Sequence, residues 1–382
     1  MPTRRRFLHA STRLAAGITL SPGILAACAA GDNGGRPITG PQPGPQSRPD
    51  RKIGVALLGL GGYAKGQIAP ALQLTEHCTL AGLITGSPEK LPEWQREYGV
   101  ADEHCYTYDR MAELADDDAI DVVYVITPTA THKDFTLRGL AAGKHVWCEK
   151  PMAMDVAECR EMIEAAEAAG KKLAIGYRMM HEPNTRDFIA HITPRPYGEL
   201  TGVRGFAGYG GNVPPADYWR GQRDMGGGAL YDMGVYAING IRYATQAVPE
   251  RVLSARQERI ERPNGSDLTS AFTLRMPGGA TAEGWTSVVE KRNLLRPEFE
   301  RGWAEMDPMQ PYNGVRGEAS DGTVFGPPVP NQQSIQMDND ALAILNDTAL
   351  IAPGEEGLID VAIIRAIIES AETGREVPIA LG

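Results

Sequence analysis

Lys150, Asp232 and Tyr236 are the residues of this 382-residue chain whose types and settings could do chemistry. Lys150 stands in Trp147-Cys148-Glu149-Lys150-Pro151, where a proline stops an apolar run by removing a backbone donor. Asp232 and Tyr236 are four residues apart within Gly226–Asn239, a spacing that puts both on one face of a helix. A free phenol has a pKa of about 10, too high to accept a proton readily at neutral pH, and a neighbouring ammonium favours its phenolate. Lys150 could supply that charge. Tyr236 would then be base in oxidation and acid in reduction, with Asp232 holding hydroxyls or orienting the lysine. Such a set suits hydride loss from an alcohol carbon while its hydroxyl loses a proton.

The elements that must position these residues begin at Ile53. The apolar run 53–58 suits a buried parallel strand and leads into Gly59-Leu60-Gly61-Gly62-Tyr63-Ala64, a G-x-G-x-x-A turn before a helix. Its glycines allow backbone N–H groups to approach a pyrophosphate at the helix N-terminus. A second strand over 79–84 ends at Thr85-Gly86-Ser87, where an NAD site would place an acid. The hydroxyls of Thr85 and Ser87, with Lys90 one turn on, suit a 2′-phosphate instead, so NADP is the expected cofactor. The strand 121–126 closes on Thr127-Pro128-Thr129, and His132 opens the next helix; it fixes the turn or touches the cofactor and has no catalytic role. A strand over 144–148 brings Glu149 and Lys150 to the ligand crevice.

The helix 156–169 and a strand at 173–176 complete a dinucleotide-binding domain over 51–176. Beyond Tyr177-Arg178 the stretches 198–209, 251–260, 268–276 and 280–288 read as strands with few helices between them. The expected architecture is therefore α/β: an N-terminal Rossmann domain and, over 177–382, an α+β domain on an open, mostly antiparallel sheet. The C-terminal helices are candidates to pack back on the first domain.

The N-terminus reads as an address. Arg4-Arg5-Arg6-Phe7-Leu8 before a weakly apolar run to Ala30 has the form of a twin-arginine export signal, which places the protein in the periplasm. Leu25-Ala26-Ala27-Cys28 has the form of a lipoprotein site, with cleavage at Ala27 or Ala29 as the alternative. The only expected membrane attachment is a lipid on Cys28. Residues 31–50 form a proline-rich arm. A net charge of −10 argues against nucleic-acid binding, and the five cysteines lack metal-ligand spacing, so no metal is expected and the internal thiols read as inert.

Six separated motifs carry a family resemblance: the glycine loop, Cys148–Ala153, Ile175–Arg178, Trp219-Arg220, Gly226–Asn239 and Pro353–Gly357. Together they resemble the oxidoreductase family typified by glucose-fructose oxidoreductase and inositol dehydrogenase, and within it the sugar-to-sugar enzymes. The resemblance implies tightly held NADP that is reduced by one sugar and reoxidised by another without leaving. It implies Lys150 and Tyr236 as catalytic residues and Asp232 as a sugar ligand; Arg178 and Tyr312 are candidates for further substrate contacts, with core or surface roles as the alternative. Glu149, Arg178, Trp219 and Arg220 are implied on the cofactor side, and a homodimer or homotetramer as the assembly. An NAD-dependent glycosidase and a non-catalytic sugar sensor are the rival readings. The segments 179–182 and 293–317 depart from the family pattern, which leaves the acceptor sugar open.

Overall fold

The computed structural model describes residues 51–381, so the export signal, Cys28 and the proline-rich arm lie outside the described residues. β1 (Ile53–Leu58) is buried at every position and ends in the glycine loop, from which a π turn (Ala64–Ile68) runs into α1 (Ala69–Leu72). Then follow β2 (Cys78–Thr85), α2 (Leu91–Tyr98), β3 (Cys105–Thr107), β4 (Val122–Val125), α3 (His132–Ala141), β5 (His145–Cys148), α4 (Val156–Ala169) and β6 (Leu173–Ile175). These strands form one parallel sheet in the order β3-β2-β1-β4-β5-β6. The order reverses beside β1, so a crevice opens where β1 and β4 end, the place where such sheets bind ligands. Gly59 has to be glycine there: its φ is +99° and a Cβ would meet the Ile126 carbonyl oxygen at 2.4 Å.

The second layer starts with α5 (Arg178–His181) and α6 (Pro183–Ile192), the latter capped by Glu182, whose side chain accepts from the Thr185 N–H. β7 (Leu200–Tyr209) follows, then a π turn (Leu230–Gly234) that continues as α7 (Val235–Thr245). The remaining strands are β8 (Arg251–Arg259), β9 (Asp267–Arg275), β10 (Thr281–Ser287), β11 (Lys291–Phe299), β12 (Gly302–Met306), β13 (Gly317–Ala319) and β14 (Val324–Phe325). Two helices, α8 (Gln332–Leu345) and α9 (Gly354–Thr373), and a short β15 (Val377–Pro378) end the chain.

Nine strands make the second sheet, in the order β14-β13-β12-β11-β7-β10-β9-β8-β15, antiparallel throughout except for the β7–β10 pair. α7 packs across β7, β10 and β11. It can do so because β7 presents Val203, Gly205 and Ala207 to it, and a Cβ on Gly205 would lie 3.0 Å from the Ala237 carbonyl oxygen. α9 lies against α4 and β6 of the first sheet and β8 of the second, while α8 packs on α1 and β2. The chain before α9 also joins the first sheet: the Ile175 N–H donates to Ala352 O at 2.8 Å, beside an Ala174–Pro353 bridge.

The four strands expected in the second half are present as β7 to β10, with ends shifted by one or two residues. β11 was not expected as a strand. It carries Pro297, a residue that normally demotes a strand because it cannot donate to the ladder, and its charged residues mask the apolar alternation.

Candidate active site

Lys150, Asp232 and Tyr236 meet where the chain leaving β5 approaches the π turn and the start of α7. The Lys150 ammonium donates to the Asp232 backbone carbonyl at 2.8 Å and stands 3.7 Å from its carboxylate. It also lies 4.7 Å from the centre of the Tyr236 ring. The lysine therefore approaches the ring face of the tyrosine, a cation–π arrangement, and is steered there by Asp232. Asp232 is gripped on its other side by Arg220, whose Nε donates at 2.9 Å. Burial opposes the charge of Asp232, but Lys150 and Arg220 outweigh it and hold the carboxyl below its ordinary range. Arg220 itself is stacked 4.5 Å from the Trp219 ring and hydrogen-bonds the Tyr218 hydroxyl. Trp219 and Arg220 thus sit on the Asp232 side of the site.

The helix entry that delivers Asp232 depends on Gly228 and Asp267. Gly228 has φ +108°, and a Cβ there would lie 2.0 Å from an Asp267 carboxylate oxygen. That carboxylate accepts from the Leu230 N–H at 2.9 Å and the Ser270 hydroxyl at 2.6 Å, capping the π turn from the neighbouring strand. Asp232 and Tyr236 then face the lysine together.

Arg178 and Tyr312 form the opposite wall. Arg178 is 2% exposed, and its head is taken by the backbone carbonyls of Gln310, at 2.5 Å, and Pro311, at 3.3 Å, and by the Gln332 side chain. It lies 5.1 Å from the Tyr236 ring centre and 4.8 Å from that of Tyr312. Arg178 thus braces the loop that carries Tyr312 and stacks between two tyrosines, with most of its donors already used. Tyr312 is 43% exposed and stacks on Tyr63 with ring centres 6.4 Å apart. Burial, and then the Glu149 carboxylate, push the Tyr63 phenol well above its ordinary value, which keeps Tyr63 protonated.

The crevice fits a dinucleotide. A Cβ on Gly61 or Gly62 would meet nothing within 4 Å, so the turn presents open backbone at the start of the π turn. Lys90 reaches back to this loop, its ammonium donating to the Leu60 carbonyl at 3.3 Å. Gly86 lies beside the Tyr108 ring, and Ser87 is half-buried. Thr85 differs from expectation: it is buried, and its hydroxyl accepts from the Ser87 N–H at 3.0 Å, so it shapes the turn and leaves Ser87 and Lys90 as the polar groups that face outward.

On the other side of the crevice, Thr127, Pro128 and Thr129 turn the chain out of β4, and the Thr131 hydroxyl bonds both Thr127 Oγ1 and the Pro128 carbonyl. His132 is 1% exposed; its ring nitrogens sit 2.8 Å from Thr127 O and 2.9 Å from Pro151 O. It ties the turn after β4 to the turn after Lys150, and burial lowers its pKa. Glu149 is buried and accepts from the Tyr124 hydroxyl at 2.8 Å; burial raises its carboxyl despite the neighbouring Lys150.

Two family models match this chain, the oxidoreductase family NAD-binding Rossmann fold over residues 53–177 and the GFO/IDH/MocA C-terminal domain over residues 192–300. The chain belongs to the GFO/IDH/MocA oxidoreductase family. It is 37% identical to the aldose-aldose oxidoreductase of Caulobacter crescentus, solved with glycerol, with a TM-score of 0.81 over 86% of this chain and 100% of that one. It is 29% identical over 353 residues to the NADP-dependent D-xylose 1-dehydrogenase of Haloarcula marismortui, covering 86% of this chain and 93% of that protein. The 1,5-anhydro-D-fructose reductase of Ensifer adhaerens is 24% identical over 353 residues, covering 85% and 98%. The chain is thus a family oxidoreductase with an NAD(P)-binding Rossmann domain.

Sequence reasoning missed the supports of the site. Tyr124 reads as a core aromatic in an apolar strand, and only the fold shows its hydroxyl on Glu149. Asp267 gave a signal, an acid opening an apolar strand, that could have marked it as a cap. Gln310 and Gln332 gave none, because a neutral amide in a loop or helix start has no pattern that announces a buried arginine. Among the described residues Cys78, Cys105, Cys148 and Cys159 are buried free thiols.

Proposed function

We propose that this chain is an exported, NADP-containing sugar oxidoreductase that oxidises an aldose at C1 to its lactone and passes the hydride to a second aldose or ketose while the cofactor stays bound. The observation that carries the reading is the convergence of Lys150, Asp232 and Tyr236 beside the nucleotide crevice. Similarity to an aldose-aldose oxidoreductase and an NADP-dependent xylose dehydrogenase supports the substrate class and the cofactor. Lys90 and Ser87 beside the glycine loop suit a 2′-phosphate.

NADP, held by the open backbone at Gly61 and Gly62 with Ser87 and Lys90, would supply the acceptor and donor of the C1 hydride. Tyr236 takes the proton of the C1 hydroxyl as the C1–H bond breaks and the C1–O double bond forms, and returns it when the second sugar is reduced. The ammonium of Lys150, held over the ring by Asp232, favours the phenolate that accepts the proton in oxidation and that forms again when Tyr236 gives it up in reduction. Asp232 keeps lone pairs free between Lys150 and Arg220 to accept from sugar hydroxyls. Glu149, Tyr124 and His132 hold the turn that presents Lys150. Export by the twin-arginine signal, with a lipid on Cys28, accords with a cofactor recycled in place. A second copy on the open face of the nine-stranded sheet completes the proposal.

The test is direct. Acid release of nucleotide from purified protein should yield NADP; adding glucose should raise the absorbance of a reduced nicotinamide, and a second sugar should bleach it. Absence of nucleotide, or nitrophenol release from nitrophenyl glycosides with no net aldose conversion, would overturn the reading.

A further inference from the structure

Tyr312 stands at the tip of the loop between β12 and β13, and the base of that loop is fixed from two sides. The Asn293 side-chain oxygen accepts the N–H groups of Met309 and Gln310 at 2.9 and 3.0 Å. Arg178 donates to the carbonyls of Gln310 and Pro311, and the Gln332 amide nitrogen donates to Pro311 as well, at 3.1 Å. Met309, Gln310 and Val315 are buried, whereas Tyr312, Asn313 and Gly314 are exposed. Gly314, at φ +77°, turns the tip back. The loop is therefore a short overhang on a firm base. Its ring reaches the other domain: the centres of Tyr312 and Tyr63 are 6.4 Å apart with planes 30° apart, an offset stack. The Arg178 guanidinium lies 4.8 Å from the centre of the Tyr312 ring.

Tyr63 follows the open backbone of Gly61 and Gly62, and its phenol lies within the fields of Glu149 and Tyr236. It stands between the turn that suits a pyrophosphate and the residues that would meet a nicotinamide, so a dinucleotide reaching from one to the other passes Tyr63. We infer that Tyr312, stacked on Tyr63 from the second domain, is a clasp over the nucleotide crevice that slows release of the bound dinucleotide. The anchors give the clasp its effect. A ring on a free loop would part from Tyr63 at little cost, whereas this one parts only by bending the tip or by breaking the bonds of its base. With Tyr63 and Arg178 against its ring, Tyr312 is spent on closure and not on a sugar. The purpose of the clasp rests on the proposed function, in which a nicotinamide reduced by one sugar has to be in place for the next; the clasp itself is tested without a sugar.

The full chain is loaded with NADPH, and with NADH in parallel, then chased with excess oxidised nucleotide while nicotinamide fluorescence reports the off-rate. Tyr312→Ala should release the nucleotide about tenfold faster or more, the worth of an aromatic pair with its burial, and Tyr312→Phe should stay within about twofold of the parent. Asn293→Ala, which loosens the loop base without removing a ring, should also speed release, by less. Should Tyr312→Ala fold poorly, Tyr312→Leu takes its place with the same expected direction. Equal off-rates for the parent and Tyr312→Ala would overturn the inference. So would release from Tyr312→Phe as fast as from Tyr312→Ala, because the hydroxyl and not the stack would then do the holding. An unchanged rate in Asn293→Ala would overturn it too, in favour of Tyr312 as a direct nucleotide contact. Loading of NADH alone would count against the proposed cofactor, and the clasp is then judged on NADH. Slow release with no reduction by any aldose would sink the proposed reaction and leave the clasp standing; equal off-rates with full aldose turnover would do the opposite.

Discussion

The helix that runs from the π turn at Leu230 through α7 carries two charge clusters of opposite character. At its start, Asp232 and Tyr236 face Lys150 and Arg220, with side chains 11% exposed for Lys150 and 31% for Arg220 and a lysine–carboxylate separation of 3.7 Å. Toward its end, Arg242 is sealed between Asp360 at 2.6 Å and Glu356 at 2.8 Å, and Asn239 donates to Asp360 at 3.0 Å. The second cluster spends its donors inside the protein and locks α7 to α9. The first leaves lone pairs and an aromatic face for a ligand. One helix thus shows buried charge closed on its own partners at one end and, at the other, held slightly apart and open to a ligand.

That contrast can be broken from either end. The largest effect is expected from Tyr236→Phe, which should lower kcat by about 10²–10⁴-fold, the usual contribution of a positioned acid–base group, with bound nucleotide and thermal stability retained. Single-turnover reduction by glucose measures it, and retained turnover would remove Tyr236 from its role. Arg242→Met should do the reverse, costing about 3–5 kcal/mol in urea unfolding by stranding buried carboxylates, with activity per folded molecule kept. Adding Asp360→Leu to that variant should recover much of the loss; no recovery would mean that the loss does not come from a stranded Asp360 charge.

Smaller effects sharpen the comparison. Asp232→Asn should reduce kcat/KM by about 10–100-fold, the worth of a hydrogen bond to a charged group, and lower the urea midpoint at neutral pH by less than Arg242→Met does. Acid titration should separate the same clusters. The folded-state pKa of Asp232 is depressed, so its stabilising contribution is complete above the ordinary value of about 3.9 and is lost as pH falls through the lower folded value. Asp360 is raised by burial, with Arg242 opposing, so it contributes in the other direction, and its cost is relieved as it gains a proton. The stability of Asp232→Asn should therefore fall less steeply below about pH 4 than that of the parent; parallel acid limbs would deny Asp232 its linkage to Lys150 and Arg220.

The fold was legible wherever period and punctuation agree. The glycine loop, the strand before it and α4 appear in the sequence because burial on both faces writes continuous apolar runs and because positive φ demands glycine. That Lys150, Asp232 and Tyr236 come together was legible because a four-residue spacing and a strand-end lysine are local signals. Their geometry was not: sequence placed Lys150 near the tyrosine, while the ring-face approach and the 2.8 Å bond to the Asp232 carbonyl depend on how two domains meet. Thr85 misled for a related reason, since a hydroxyl at a strand end can turn inward to cap its own turn as readily as outward to a phosphate. β11 was hidden by Pro297, which is tolerated because its neighbours in the ladder supply the pairing on either side.

The bridge at Ala352 and Pro353 has a consequence for how the protein is made. The outer edge of β6 is covered by chain that leaves the ribosome well after the rest of the nucleotide domain, and an open strand edge is a template for pairing with other chains. The first domain can collapse early, but its edge closes only when the residues before α9 arrive. Completion of the nucleotide domain is thereby tied to synthesis of the second domain, so a chain stalled or truncated before Ala352 would carry the glycine loop with a sheet still open to aggregation.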